Sequence, residues 1–133
     1  MSNLPCPCGT GLSFSKCCDG YLRGKRLPDT AEALMRSRYT AYVVGNVSYL
    51  IETRHPDFRT KTEAEDIAGW IKEVTAWDKL EVLMTEKGTN ADKTGYVAFN
   101  VFFHQGGHEE AMFEYSRFSK LNGRWVYESG NLS

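Results

Sequence analysis

The chain has 133 residues, 41% hydrophobic, 25% charged and 13% aromatic, which is the makeup of one domain with a core of its own and excludes disordered and fibrous polymers. A net charge of -1 argues against a partner held mainly through phosphates, because such binding rests on many Lys and Arg contacts. No apolar run is longer than AYVV at 41–44, and MSNLPCPC lacks the parts of a signal peptide, so a cytoplasmic protein without membrane insertion is expected.

All four cysteines fall in CPCGTGLSFSKCC, as Cys6, Cys8, Cys17 and Cys18. Two tight pairs separated by a loop suit a tetrahedral thiolate site, in which each pair grips one side of an ion at about 2.3 Å. Gly9 and Gly11 flank Thr10 and allow a sharp turn after the first pair. Cys17 and Cys18 are adjacent, which suits the first turn of a helix, where neighbouring side chains diverge by about 100° and the N-terminus favours thiolate charge. A dithiol redox pair or a disulfide-bonded cap would use the same residues. The use of all four cysteines and the lack of a secretory signal favour a metal. A four-sulfur site is closed, so its expected role is to fold the knuckle and not to carry out hydrolysis.

Residues 1–27 read as this knuckle and a basic linker, YLRGKRLP, and 28–133 as the main domain. Residues 1–40 hold six basic side chains against three acidic ones, a local surplus that leaves contact with acidic surfaces or RNA to be tested. A helix is expected over DTAEALMRSRYTAYVVGN, capped by Asp29 with Glu32 three residues on. Leu34, Met35, Arg38, Ala41 and Tyr42 share one face of it, which sets Arg38 on an apolar stripe. VSYLIETR reads as a short helix stopped at His55-Pro56, and TEAEDIAGWIKEVTAW as another with Ile67, Trp70, Ile71 and Val74 in register.

The period then changes to two. KLEVLMTE, GYVAFNVFFH, HEEAMFEYSRFSK and RWVYESG read as strands, separated by KGTNADKT, by QGG and by the hairpin signal Asn122-Gly123. Helices followed by an antiparallel meander make an α+β fold. Parity places Asn100 with His104 on one strand face and Glu114 with Ser116 on another. With Arg38 and His55 these would line a polar pocket, Glu114 serving as the carboxylate for a buried Arg38. Exposed strand faces carry such residues routinely, and a buried Arg–Glu pair would equally serve to lock helix to sheet. His104 and His108 lack a third ligand at useful spacing and read as turn residues. No nucleotide-binding glycine loop and no G-x-S-x-G elbow is present, so the common enzyme classes are unsupported and no catalytic residue is assigned.

CPCGTGLSFSKCC resembles the SEC-C motif, the metal-binding tail of the translocation motor ATPase SecA. LMRSRYTAYVVGNVSYLIETRHP, with EYSRF and NGRWVY near the end, resembles the YchJ (UPF0225) family, and the likeness covers almost the whole chain. The resemblance implies an NTF2-like fold, a curved sheet wrapped around helices as a cone. It also implies zinc, with iron as the alternative ion, and contact with a secretion chaperone or other protein partner. Leu12 and Ser13 stand where SEC-C motifs commonly carry lysines, which disfavours RNA or ribosome binding. The second SEC-C motif with which many YchJ-type proteins end is not expected after NLS. The leading expectation is a metal-stabilised interaction module that presents Leu12, Phe14 and Lys16. The alternative is a small-molecule binder or enzyme that uses the pocket.

Overall fold

The computed structural model describes residues 3–132. Four helices, α1 (Cys18–Leu22), α2 (Ala31–Val44), α3 (Val47–Glu52) and α4 (Glu63–Glu73), precede four strands, β1 (Val74–Lys87), β2 (Thr94–Gln105), β3 (His108–Leu121) and β4 (Arg124–Leu132). The strands form one antiparallel sheet in the order β1-β2-β3-β4. This is the α+β order expected from the change of hydrophobic period.

The central helix starts differently from the expected capping box. Thr30, not Asp29, is the N-cap, and its Oγ1 accepts from the Ala33 amide at 3.0 Å. Glu32 is engaged by Arg36 one turn on, at 2.9 Å, and the Asp29 carbonyl accepts from Trp125 Nε1 at 3.0 Å. The buried indole of Trp125 thereby fixes where the helix begins. Gly45 ends it with φ 78°, a left-handed conformation that costs little without a Cβ.

The expected third helix is shorter than its pattern. It stops at Glu73, and Val74 opens β1 with no loop between, so Trp77 belongs to the sheet. Val74 and Trp77 pair with Gln105 and Phe103 of β2, and cross-strand pairing of β-branched and aromatic residues outweighs continuation of the helical period. The linker is not wholly a linker either, because Tyr21 and Leu22 pack beside Tyr49, Leu50 and Ile67.

Register shifts interrupt β1 against β2 at three places, and β3 against β4 between Arg117 and Phe118. Such bulges bend and twist a sheet, here around α2. Val97, Phe99, Val101 and Phe103 of β2 and Phe118 of β3 face inward and join Leu34, Met35 and Tyr39 of α2 in the main core. All four cysteines belong to that same core.

Candidate metal centre

The N-terminal segment folds back on itself before it reaches α1. Pro5 bridges Ser13, the Cys6 amide donates to Leu12 O at 2.8 Å, and the Phe14 amide donates to Leu4 O at 2.9 Å. The turn at the tip uses Gly9 and Gly11 with φ 87° and 88°, values that a side chain would penalise. A short 3-10 turn over Phe14–Lys16 then delivers Cys17 to the N-cap of α1 and Cys18 to its first residue. Adjacent cysteines thus turn toward one point because a helix starts between them.

The four sulfurs lie within 4.8 Å of one another, with Cys8 and Cys17 at 3.6 Å, and every one of these cysteines is buried and free of disulfide. A tetrahedron with ~2.3 Å arms has edges of about 3.8 Å, so the cluster is compact enough to hold one thiolate-bound ion. The chemistry of the donor set points the same way. Hydrogen bonding to Cys6 and Cys8, with burial, pushes the Cys18 thiol up, while hydrogen bonds from Cys18 and Cys8 hold Cys6 down despite burial. Protons shared among packed sulfurs are what a divalent cation displaces.

Groups that the sequence did not single out surround the cluster. Thr40 of α2 donates to Cys18 Sγ at 3.3 Å and lies 3.8 Å from Cys6 Sγ, and Thr10 Oγ1 lies 3.2 Å from Cys17 Sγ. Arg36 donates through Nη1 to the Cys8 carbonyl, and Arg26 reaches the Cys17 carbonyl at 2.6 Å. No spacing rule connects Thr40 or Arg36 with cysteines 22 to 34 residues earlier. Among the described residues these contacts also reduce the expected basic surface. Arg23 pairs with Asp19 at 2.8 Å, Arg36 with Glu32, and Arg38 is buried. Lys16 and Lys25 remain exposed, as do Arg23 and Arg26 despite their contacts.

Of the residues expected to face a partner, Leu12 is 52% exposed and Lys16 is exposed, but Phe14 is half-buried against the main core. Its ring supports the knuckle from below. Leu4, on the opposite arm of the hairpin, is exposed as well.

The expected pocket residues separate into two groups. Arg38, Glu114 and Ser116 line a cavity of about 90 Å³ between α2, α4 and the sheet. Asn100 does not, because residues of even number in β2 point to the outer face, where its amide donates to Glu81 Oε1 at 3.1 Å. His104, on that face, meets Asp78 at 2.6 Å. His55 is also outside the cavity lining. Its Nδ1 accepts from the Asp57 amide at 3.1 Å and caps a 3-10 turn. Sequence parity showed which residues share a face and left open which face turns inward.

Arg38 departs from expectation in its partners. Its Nη1 donates to Leu50 O at 2.8 Å and to Thr53 Oγ1 at 2.7 Å, and its guanidinium lies 4.6 Å from the centroid of Tyr127. No ion pair with Glu114 forms within 4 Å among the described residues. Glu114 instead accepts from Tyr127 Oη at 2.9 Å and from Ser116 Oγ. Tyr127, Tyr42, Trp70 and Trp77 also line the cavity.

A cysteine knuckle seated on the central helix of a helix-and-curved-sheet cone defines an NTF2-like protein with a SEC-C-type N-terminus. The family model "YchJ, middle NTF2-like domain" matches residues 30–130. The chain belongs to the YchJ (UPF0225) family. It is 40% identical over 130 residues to a UPF0225 protein of Geobacter sulfurreducens, covering 98% of this chain and 80% of that one. It is 41% identical over 132 residues to one of Streptomyces coelicolor, covering 99% and 98%. The solution structure of a SEC-C motif containing protein from Rhodopseudomonas palustris is similar, with a TM-score of 0.87, 33% identity and coverage of 96% and 98%. A cystatin-like protein of Caulobacter vibrioides, at a TM-score of 0.59 and 14% identity over 79% of this chain and 87% of that one, shares the fold alone. Among the described residues no helix is long and apolar enough to cross a membrane.

Proposed function

We propose that Cys6, Cys8, Cys17 and Cys18 hold one zinc ion, with iron as the alternative, and that the closed knuckle is a docking element for a protein partner in the cytoplasm. The observation that carries this reading is the contrast within one hairpin. The sulfurs are buried and convergent, while Leu4, Leu12 and Lys16 on the same segment face solvent. A site with four protein ligands leaves no position for substrate. Its binding energy, about 10–16 kcal/mol in small zinc domains, goes into ordering a segment too short to fold alone. An exposed apolar pair beside a cation, on a rigid hairpin, suits a partner surface with an apolar centre and an acidic rim.

Elemental analysis of untagged protein tests the ion, with one equivalent expected. Capture from cell extract with wild type, with chelator, and with Leu12→Ser or Lys16→Glu tests the docking role. Partners retained by wild type and lost in the other arms support it. Capture indifferent to all three changes overturns it.

A further inference from the structure

The cone cavity holds two charged groups that face the same space without meeting. Arg38 is 7% exposed, its Nη1 is engaged by Leu50 O and Thr53 Oγ1, and its Nε and Nη2 have no protein acceptor among the described residues. Arg38 also lines the cavity. Glu114 is arranged in a complementary way. Its Oε2 collects the hydroxyls of Ser116 and Tyr127, which leaves Oε1 without a protein donor among the described residues.

This carboxylate has a built seat. A Cβ on Gly130 would stand 2.3 Å from Glu114 Oε2 and 2.4 Å from Cδ, so the bare backbone of β4 makes room for it. The remaining walls are largely aromatic, with Trp70 and Trp77 at right angles to each other, centroids 5.1 Å apart.

We infer that this cavity binds a small, uncharged, planar molecule that carries a hydrogen-bond acceptor next to a donor, the pattern of a cyclic amide. The acceptor takes the free edge of Arg38 and the donor gives to Glu114 Oε1. A carboxylate ligand would satisfy the guanidinium but face Glu114, and an ammonium would do the reverse, so one charge of each sign selects a neutral group with both functions. Aromatic walls suit a ring that meets one of them face-on or edge-on. The cavity, about 90 Å³ and partly open to solvent, is smaller than the dry cavity on the order of 150 Å³ that takes benzene, so the ligand is at most one ring, seated with part of it at the open mouth.

The test uses the full chain with its metal, and pyridone as the probe. Benzoate and benzylammonium serve as charged comparators of similar size. Tryptophan fluorescence and ligand-observed NMR are expected to show saturable pyridone binding in the millimolar range or tighter, with both comparators weaker by about tenfold. Glu114→Gln is expected to weaken pyridone by about tenfold, and Met112→Phe, which fills the cavity, to abolish binding. Circular dichroism checks that each variant is folded. Absence of saturable pyridone binding, benzoate bound as tightly as pyridone, or full affinity in a folded Met112→Phe or Glu114→Gln protein would each overturn the assignment.

Discussion

Thr40 on the central helix donates its hydroxyl to Cys18 Sγ at 3.3 Å and lies 3.8 Å from Cys6 Sγ, so one side chain ties both halves of the cysteine cluster to the main domain. Hydrogen bonds to thiolate sulfur stabilise its charge and orient it toward a cation, and losing a group in this position typically costs about 10- to 100-fold in metal affinity. Thr40→Val keeps the volume and removes the hydroxyl. Metal affinity is expected to fall by about tenfold, read by competition with a chromophoric chelator.

Removing the metal should loosen more than the knuckle. The cysteines share one core with Leu34, Met35 and Tyr39 of α2 and with Phe103 and Trp125 of the sheet, so four repelling or reprotonated sulfurs would sit against the centre of the fold. Chelation of reduced protein is expected to lower Tm by roughly 10 °C or more and to raise amide exchange along α2. Exchange confined to residues 3–27 would show that the knuckle is energetically separate.

Gly130 bears on the cavity from the opposite wall. Gly130→Ala drives a methyl group into the Glu114 carboxylate, which must leave its bonds with Ser116 and Tyr127. Ser116 is fully buried and would lose its partner. A destabilisation of about 1–3 kcal/mol is expected in urea unfolding, and Gly130→Ala combined with Glu114→Ala is expected to recover part of it, a coupling that a double-mutant cycle measures.

Alkaline stability should report Tyr49. Burial pushes its phenol up to about 12. The folded state then holds this proton more tightly than the unfolded chain does, whose tyrosine titrates near pH 10. The resulting stability is fully present below about pH 10 and is lost as pH rises toward about 12. Ser37 donates to Leu34 O at 2.7 Å, so at 2.7 Å Tyr49 is the donor to Ser37, and Tyr49→Phe orphans no proton. That variant is expected to lose about 1 kcal/mol at neutral pH and to show a shallower fall of stability above pH 10, measured by urea unfolding across the alkaline range.

The four strands were legible because alternation and turn chemistry are local. Asn122-Gly123, QGG and the long polar loop separate them where hairpins require it, and β2 and β3 keep a period of two over their inward residues. β1 was legible only from Lys79, since its bulges break the alternation that would have exposed Val74–Asp78 as strand. Arg38, Glu114 and Ser116 were reachable as inward candidates by periodicity, whereas Asn100 and His55 were not separable from them. Parity assigns residues to one of two faces, and only packing decides which face is inside.

Features that depend on neighbours along the chain could be read directly: four clustered sulfurs with the spacing of an ion clasp, an amphipathic helix with one arginine on its apolar side, and a meander of strands. Which distant groups meet was settled by the packing of the folded chain. Thr40 and Arg36 came to support the knuckle, the start of α2 came to depend on Trp125, and Arg38 and Glu114 came to share a cavity without pairing. Hydrogen bonds and packing act over a few ångströms of space, and residues far apart in sequence are brought within that range only when the sheet curls around α2.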